Sequence, residues 1–417
     1  MSWRKIAANT VYQLGGKGFS ILANILILAL ITRSLGVEQF GEFVLITTVP
    51  TFLYLFGDFG LNAVFLRELA KDNHHVRKFG SLLSLRMILA AAALLLGLAY
   101  AYFYPHPPVV KLGIMVALTT VFTQGVFVSL NALFQHNLRY DLSVLANILA
   151  HVVSMALVVW GFFSQAGLIF FVLAWVATYF TLAFLALILS RKIAERPRFA
   201  WDPKWIRRIF RASLPIGLML VFSQINSMAD VFLLRALDSA EAVGIYRLGY
   251  KVFENILPIP IFFVNALYPI MLADHQQGLS FLYRRLKHSI SALLAVSLLA
   301  IVVVIPIAGV LISILGGAEF SDSSLVLKIL VLALPFFFMT APLQWFLITV
   351  GKERVLPVIY ALAAFFNVSI NILFIPRFSY FASISATVFS EILILTLLAA
   401  AVWRFKRGFS EAIPPRR

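Results

Sequence analysis

The sequence predicts an all-α integral membrane protein with about twelve transmembrane helices in two six-helix lobes. Of its 417 residues, 61% are hydrophobic and only 12% are charged, and the mean hydropathy is +0.94. A soluble domain carries about 25% charged and about 45–50% apolar residues. The apolar excess extends along the whole chain and leaves no polar block long enough for a soluble domain, which is typical of a polytopic membrane protein.

The individual helices are assigned from apolar runs of about 20 residues, the length that crosses about 30 Å of hydrocarbon. Twelve runs are long enough, and they are 10–32, 42–66, 80–103, 109–134, 142–163, 166–189, 212–236, 243–272, 289–315, 325–349, 355–375 and 380–403. The eighth run contains charged residues and three prolines. A kinked or broken helix is therefore expected there.

The distribution of basic residues tests this layout, because cytoplasmic loops of membrane proteins are enriched in Lys and Arg. With the N-terminus inside, 25 of the 34 Lys and Arg residues fall in inner segments, and only four fall in outer ones, namely Arg33, Lys111, Arg235 and Arg377. A missed or additional helix would destroy this alternation. The pattern predicts a multi-pass protein of the cell (inner or plasma) membrane with both termini in the cytoplasm.

The longest polar stretch divides the chain into two halves. This stretch is SRKIAERPRFAWDPKWIRRIFR (190–211), and it is predicted to be an amphipathic surface helix. Its Lys and Arg residues would face the lipid headgroups. Its apolar side chains would face the lipid, and they are Trp201, Trp205, Ile206 and Phe210. Six predicted helices precede it and six follow it. The predicted domains are an N-terminal six-helix lobe (1–190), a basic amphipathic cytoplasmic linker (191–211), a C-terminal six-helix lobe (212–408) and a cytoplasmic tail (409–417).

A charged, glycine-bearing pattern occurs at the end of the first helix of each lobe. LITRSLGVEQFGEF (30–43) and LLRALDSAEAVGIY (233–246) both place an arginine two residues before a leucine, followed by a glycine and an aromatic residue. Six helices return the chain to the same side of the membrane. Both copies therefore enter the membrane in the same direction, which predicts a parallel pseudo-twofold repeat about the membrane normal.

Several function classes are disfavoured by composition and by missing motifs. The formal net charge of +16 is explained by cytoplasmic loops, and no aromatic-and-glycine nucleic-acid motif occurs, so no nucleic-acid partner is expected. The chain has no cysteine, no G-x-x-x-x-G-K-[ST] phosphate loop, and no HExxH or G-x-S-x-G spacing. We expect neither an enzyme nor an ATP-driven pump by itself, and no bound metal or organic cofactor.

Charged residues inside spanning segments are the best candidates for function, because each costs about 2.5–3.5 kcal/mol at a helix centre. Anionic phosphate groups are bound by cations, and arginine offers a planar set of donors. The cationic candidates for substrate binding are Lys17, Arg33, Arg86, Arg235, Arg247 and Lys251. Three of them lie near helix ends and could instead extend to lipid headgroups, namely Lys17, Arg33 and Arg235.

Acids and amides at spanning depth form a second group. Each acid could pair with a base and tune a gate, or bind a coupling H⁺ or Na⁺, and the chosen candidates are Asp58, Asp230 and Glu254. Glu254 follows Lys251 by three residues, so a local ion pair is the default there. Glu391 is a further acid within a predicted helix. The polar cavity candidates, for which hydrogen bonds between helices are the alternative, are Asn24, Gln224 and Asn226.

Several stretches resemble the polysaccharide-biosynthesis flippases, the O-antigen-type exporters of the multidrug/oligosaccharidyl-lipid/polysaccharide superfamily. LGVEQFGEFVLITTV and GDFGLNAVFLRELAKD resemble the N-terminal region of that family, and SQINSMADVFLLRALDSAEAVGIYRLGYKV resembles its seventh helix and the following loop. NALFQHNLRYDL and ITVGKERVLPV resemble its short inner loops. The resemblance covers nearly the whole chain, but it involves glycine and charge positions and carries no information on the sugar.

The resemblance implies two lobes that open alternately to each side of the membrane. It also implies an undecaprenyl-pyrophosphate-linked oligosaccharide as cargo, carried from the inner to the outer leaflet, with a polysaccharide polymerase and a chain-length regulator as expected partners. One alternative is a cation-coupled drug exporter of the same superfamily, although basic residues outnumber acidic ones within the predicted spans. A membrane-embedded polymerase or ligase is a weaker alternative, because the chain lacks the large outer loop of such enzymes.

Overall fold

The structure is a computed structural model that describes residues 3–69, 75–193 and 199–412. These residues form helices and no strand. The α-helices are α1 (Trp3–Asp58), α2 (Leu61–Leu69), α3 (His75–Phe103), α4 (Pro108–Leu118), α5 (Thr120–His136), α6 (Tyr140–Phe163), α7 (Leu168–Ser190), α8 (Pro203–Leu237), α9 (Ala240–Glu254), α10 (Pro258–Gln277), α11 (Leu279–Gly316), α12 (Ser323–Leu332), α13 (Leu334–Thr349), α14 (Leu356–Phe378) and α15 (Tyr380–Ala412). Some basic residues of the predicted inner segments lie outside the described residues, namely Lys71, Arg196, Arg198, Arg416 and Arg417.

The described residues contain ten helical segments long and apolar enough to cross a membrane, or up to eleven if α12 and α13, which are bent by 46°, form one span. The first segment, Gly15–Asp58, has 44 residues, although about 20 suffice to cross a bilayer. Gly36 interrupts this segment with φ 68° and ψ −179°. The all-helical membrane fold is confirmed, whereas the count of twelve helices and the pseudo-twofold repeat stay predictions.

Both copies of the charged, glycine-bearing pattern contain a helix break. In the first copy the break is Gly36, whose positive φ is readily adopted only by glycine. In the second copy α8 ends at Leu237, and the Ser239 hydroxyl caps α9 by accepting a hydrogen bond from the Ala242 N–H at 3.1 Å. Gly36 aligns with Asp238 at the same offset that relates the two arginines of the pattern.

The kinked eighth helix expected from the sequence is confirmed. α9 ends at Glu254 and α10 begins at Pro258, so the chain leaves the helix at residues 255–257. Proline lacks a backbone N–H and is tolerated in the first turn of a helix, which makes Pro258 a natural start for α10.

The chain divides into two compact units, unit 1 (Met1–Val221) and unit 2 (Phe222–Arg417), with the division inside α8. The buried apolar cluster of unit 1 includes Phe65, Phe134, Trp205 and Ile206. The expectation that Trp205 and Ile206 face lipid is therefore wrong, since they are 6% and 9% exposed. They lie on the inward face of α8, in the cluster to which α2, α3 and α5 also contribute apolar residues.

The turns of unit 1 that are predicted to share the outer side lie together. They line one groove of about 600 Å³. Its walls come from residues 38–42 after the Gly36 break, residues 107–110 at the start of α4 and residues 167–170 at the start of α7. On the side predicted to be cytoplasmic, Trp205 of α8 packs edge-on against Phe65 of α2, and their ring centroids are 6.2 Å apart.

The turns of unit 2 fall into the same two groups as the predicted outer and inner segments. The Ser379 hydroxyl donates to Asp238 and the Tyr380 hydroxyl donates to Asp322 at 3.2 Å, which joins three predicted outer turns. Elsewhere the Lys406 ammonium lies 5.6 Å from the centre of the Tyr283 ring, which joins two predicted inner segments. The side of the membrane on which each group lies stays a prediction.

Candidate functional site

A partly buried ion pair lies at the end of α1 in unit 1. Arg86 on α3 donates from Nη2 to Asp58 Oδ1 at 2.6 Å and from Nη1 to the Ser129 hydroxyl of α5 at 2.8 Å. α1 ends at Asp58 because the next two residues, Phe59 and Gly60, have positive φ of 38° and 68°. Of the two alternatives for Asp58, pairing with a base is what the structure contains.

Two polar atoms beside this ion pair have no hydrogen-bond partner among the described residues. They are Arg86 Nε and the Tyr54 hydroxyl, both of which are buried. A buried donor without an acceptor costs about 1–3 kcal/mol. The Arg86 guanidinium thus retains an unused donor, Nε, inside the unit.

A second polar network lies in unit 2 around Asp230, which is fully buried. Its carboxylate accepts hydrogen bonds from the Tyr246 hydroxyl at 2.5 Å, Asn371 Nδ2 at 2.9 Å and the Thr387 hydroxyl at 3.2 Å. The Ser383 hydroxyl donates to Asn371 Oδ1 at 2.7 Å and extends the network. α8, α9, α14 and α15 therefore meet at one carboxylate.

Glu391 of α15 is a second buried acid of unit 2, and it is 7% exposed. Its Oε1 accepts a hydrogen bond from the Thr340 hydroxyl of α13 at 2.6 Å. Within the described part of the chain, Glu391 forms no ion pair with a basic residue.

The two cations predicted at the start of the eighth helix have different surroundings. Arg247 is 9% exposed, and its guanidinium lies 4.9 Å from the centre of the Tyr250 ring. Lys251 is exposed and donates to Glu254 Oε2 at 2.9 Å, which confirms the local ion pair expected there. The buried Arg247 makes no ion pair or hydrogen bond with any described residue, and the carboxylates of Asp230 and Glu254 act on its charge from a longer distance.

The other candidates lie on α1 and α8. Lys17, Asn24 and Arg33 are exposed along α1, and Arg235 is half-buried near the end of α8. The remaining two candidates also lie on α8, half-buried, and they are Gln224 and Asn226. Gln224 donates to the sulfur of Met228 at 2.9 Å, and Asn226 Oδ1 is a buried acceptor without a described partner. Whether they contact a substrate stays a prediction.

Sequence reasoning missed the neutral partners of the two buried networks. Tyr246 is part of the repeated pattern, which depends on its aromatic ring and not on its hydroxyl. Asn371 and Asn367 lie one turn apart in an apolar helix, and this spacing puts two amides on one face. Asn367 also begins a glycosylation sequon, which has no meaning inside a spanning helix. The pair of amides was the signal that could have located the network.

Solved structures show that the fold is shared with membrane transporters. A lipid II flippase, MurJ, in an inward closed conformation superposes with a TM-score of 0.76 at 12% identity, covering 94% of this chain and 87% of that one. An inward-facing multidrug resistance MATE family transporter of the MOP superfamily gives 0.72 at 12% identity, covering 93% and 96%. A MOP superfamily transporter from Pyrococcus furiosus, described as having a binding pocket of reverse polarity, gives 0.66 at 14% identity, covering 96% of each chain.

The sequence itself matches one family. None of the curated proteins compared with it matches. The profile of the family described as polysaccharide biosynthesis protein matches residues 6–273, which is more than half of the chain. With its helices and its likeness to transporters, the molecule is a multi-pass membrane protein, and the chain belongs to the polysaccharide biosynthesis protein family.

Proposed function

We propose that the protein is a flippase for surface polysaccharide synthesis. Its cargo would be a polyprenyl-pyrophosphate-linked oligosaccharide, carried from the inner to the outer leaflet by alternating access. The protein would lie in the cell (inner) membrane with both termini in the cytoplasm, and the undecaprenyl-pyrophosphate-linked glycan would be its substrate. A polymerase and a chain-length regulator would act on the delivered glycan.

The observation that carries this proposal is the buried Arg247. Arg86 and Lys251 each form an ion pair with an acid, whereas Arg247 forms none with the described residues. The Asp230 and Glu254 carboxylates act on its charge only from beyond ion-pair distance, so its guanidinium donors remain unused by the protein. A pyrophosphate group fits these donors, because its oxygens accept two parallel hydrogen bonds from one guanidinium. Family membership supports the lipid-linked sugar as the carrier of that group.

The energy of transport does not require ATP in this proposal. With the inside negative, moving one negative charge outward releases about 2.3 kcal/mol per 100 mV. Coupling to H⁺ or Na⁺ is the other source, and the acids that would respond to such an ion are Asp58, Asp230 and Glu254. Of these, Asp230 has three neutral donors around it and no ion-paired base within the described residues.

The proposal is tested with purified protein in vesicles that contain a fluorescent polyprenyl-pyrophosphate oligosaccharide. Translocation is followed by the fraction of glycan that an added glycosidase reaches. Arg247→Ala is expected to slow translocation about ten- to a hundredfold, because a charge-assisted hydrogen bond contributes about 1.5–3 kcal/mol. Arg247→Lys is expected to retain part of the rate, since it keeps the charge but loses the planar fork.

The matched control is Lys287→Ala, which removes an exposed cation of α11 that has no described partner. It is expected to translocate at the normal rate. Equal rates for Arg247→Ala and the unaltered protein, at equal protein in the vesicles, would remove Arg247 from the substrate site.

A second candidate function is a cation-coupled exporter of small molecules. It is favoured by two buried acids of unit 2, Asp230 and Glu391, neither of which forms an ion pair with a described base. In vesicles this function predicts proton- or sodium-driven efflux of organic cations that is lost in Glu391→Gln. A polymerase or ligase is disfavoured by short connections such as the single residue Ser379 between α14 and α15.

A further inference from the structure

An apolar groove opens at one end of unit 2, where α13 ends, α14 begins and α15 approaches its last turns. The groove has a volume of about 730 Å³, within the range of about 300–1,000 Å³ typical of small-molecule sites. Its walls include Val358 and Leu362 of α14 and Leu397 and Ala401 of α15. The small side chain of Ala401 leaves the space between the two antiparallel helices open.

The groove wall is continuous with surface that a membrane protein presents to hydrocarbon. Val358 and Leu362 are 59% and 50% exposed, and they lie one turn apart on the same face of α14. A long hydrocarbon chain lying along this face would enter the groove from the side. Burying apolar surface in this way stabilises a bound chain in proportion to the contact area.

Two cations, and no acid, line the same groove. Lys352 lies in the turn before α14, and Arg404 lies in α15. Gly351 has a φ of 71°, and the chain then turns so that the Lys352 N–H donates to the Leu347 carbonyl at 2.8 Å. This turn brings Lys352 to the groove. Neither cation forms an ion pair or side-chain hydrogen bond with a described residue, and the adjacent Glu353 is not part of the lining.

We propose that this groove is a binding site for an anionic phospholipid. The phosphate lies between Lys352 and Arg404, and an acyl chain follows the apolar walls of α14 and α15. Basic pockets between transmembrane helices bind anionic lipid headgroups in the same manner. The proposal does not depend on which cargo the protein carries.

The lining favours a phospholipid over the glycan-bearing cargo. Apart from the two cations, every lining side chain is apolar. Sugar hydroxyls need hydrogen-bonding partners when they leave water, and burying them without partners costs free energy. The groove therefore recognises a phosphate and a hydrocarbon chain, but it has no group that recognises an oligosaccharide.

The test is native mass spectrometry of the full-length protein, delipidated in detergent and titrated with phosphatidylglycerol or phosphatidylcholine. Phosphatidylglycerol is expected to bind more tightly. Each cation near a lipid surface contributes about 1 kcal/mol. The affinity is therefore expected to fall about fivefold in Lys352→Gln and about thirtyfold in the double variant Lys352→Gln/Arg404→Gln. Ala401→Phe, which fills the groove without changing charge, is expected to weaken binding as well.

The control is the double variant Lys204→Gln/Lys287→Gln, which removes two exposed cations that do not line the groove. It is expected to bind phosphatidylglycerol normally. Equal affinity of the groove and control variants overturns the proposal, and so does unchanged binding in Ala401→Phe. If a polyprenyl-pyrophosphate glycan displaces phosphatidylglycerol from the groove, the occupant is the cargo and the proposal is also overturned.

Discussion

Arg86 and Asp58 form an ion pair of 2.6 Å that joins α3 to the end of α1, 28 residues earlier in the chain. The Arg86 side chain is fully buried, whereas the Asp58 side chain is 22% exposed. Because Ser129 holds the second terminal nitrogen of Arg86, three helices of unit 1 converge on one guanidinium. The pair thus fixes the break at Phe59–Gly60 within the unit.

Asp58→Asn is expected to destabilise the protein by about 3 kcal/mol, near the lower end of the loss typical for removing one partner of a buried ion pair. The loss arises because Arg86 stays buried without a counter-charge. Thermal unfolding of the purified protein in detergent measures this change. The double variant Asp58→Leu/Arg86→Met is expected to lose less than the two single changes together, whereas strictly additive losses would show that the pair is not coupled.

Tyr246→Phe is expected to destabilise unit 2 by about 1.5–3 kcal/mol, because a hydrogen bond to a buried carboxylate is lost. Asn371 and Thr387 continue to donate to Asp230, so the fold is expected to persist. The matched control is Tyr250→Phe, which removes the hydroxyl of another buried tyrosine on the same helix, one that makes no described hydrogen bond. Equal unfolding temperatures for the two variants would contradict the role assigned to the Tyr246 hydroxyl.

Features that depend on neighbouring residues were predictable from the sequence. The break between α9 and α10 follows from Pro258, and the apolar runs locate the helices, because both effects act within a few residues of the chain. The Lys251–Glu254 pair is of the same kind, since residues three apart on a helix are neighbours. The predicted helices 10–32 and 42–66 leave residues 33–41 between them, whereas the structure interrupts the helix only at Gly36.

Partners on different helices could not be predicted in the same way. Asp230 and Thr387 are 157 residues apart, and their contact depends on how α8 and α15 are rotated about their axes. Periodicity is weak in helices that are apolar on all sides, so the sequence does not indicate which face packs inward. The prediction for Trp205 is the clearest error of this kind. The apolar side of its basic amphipathic stretch was predicted to face lipid, but Trp205 packs against protein.

Gly217→Ala is expected to destabilise unit 1 by about 1–3 kcal/mol, the usual cost of inserting a methyl group into a packed region. A Cβ atom at Gly217 would lie 2.6 Å from the Phe59 ring. That ring has little room to move, because it stacks on Phe210 with centroids 5.4 Å apart. Gly309→Ala on α11 is the control, since a Cβ atom there meets nothing within 4 Å. The control is expected to be neutral or slightly stabilising, and thermal unfolding of both variants measures the difference.

Reporter fusions are expected to place positions 200 and 282 in the cytoplasm and positions 165 and 318 outside. The reason is that the two groups of turns differ in charge. In unit 2, one group includes the exposed Asp238 and Asp322, and the other includes Lys352 and Arg404, and basic residues are retained on the cytoplasmic side. A fluorescent reporter that folds only in the cytoplasm, paired with a phosphatase active only outside, measures both sides at each position. If positions 282 and 318 report the same side of the membrane, α11 does not cross it. If all four positions report the opposite side from the one expected, the orientation is wrong but the assignment of helices is unchanged.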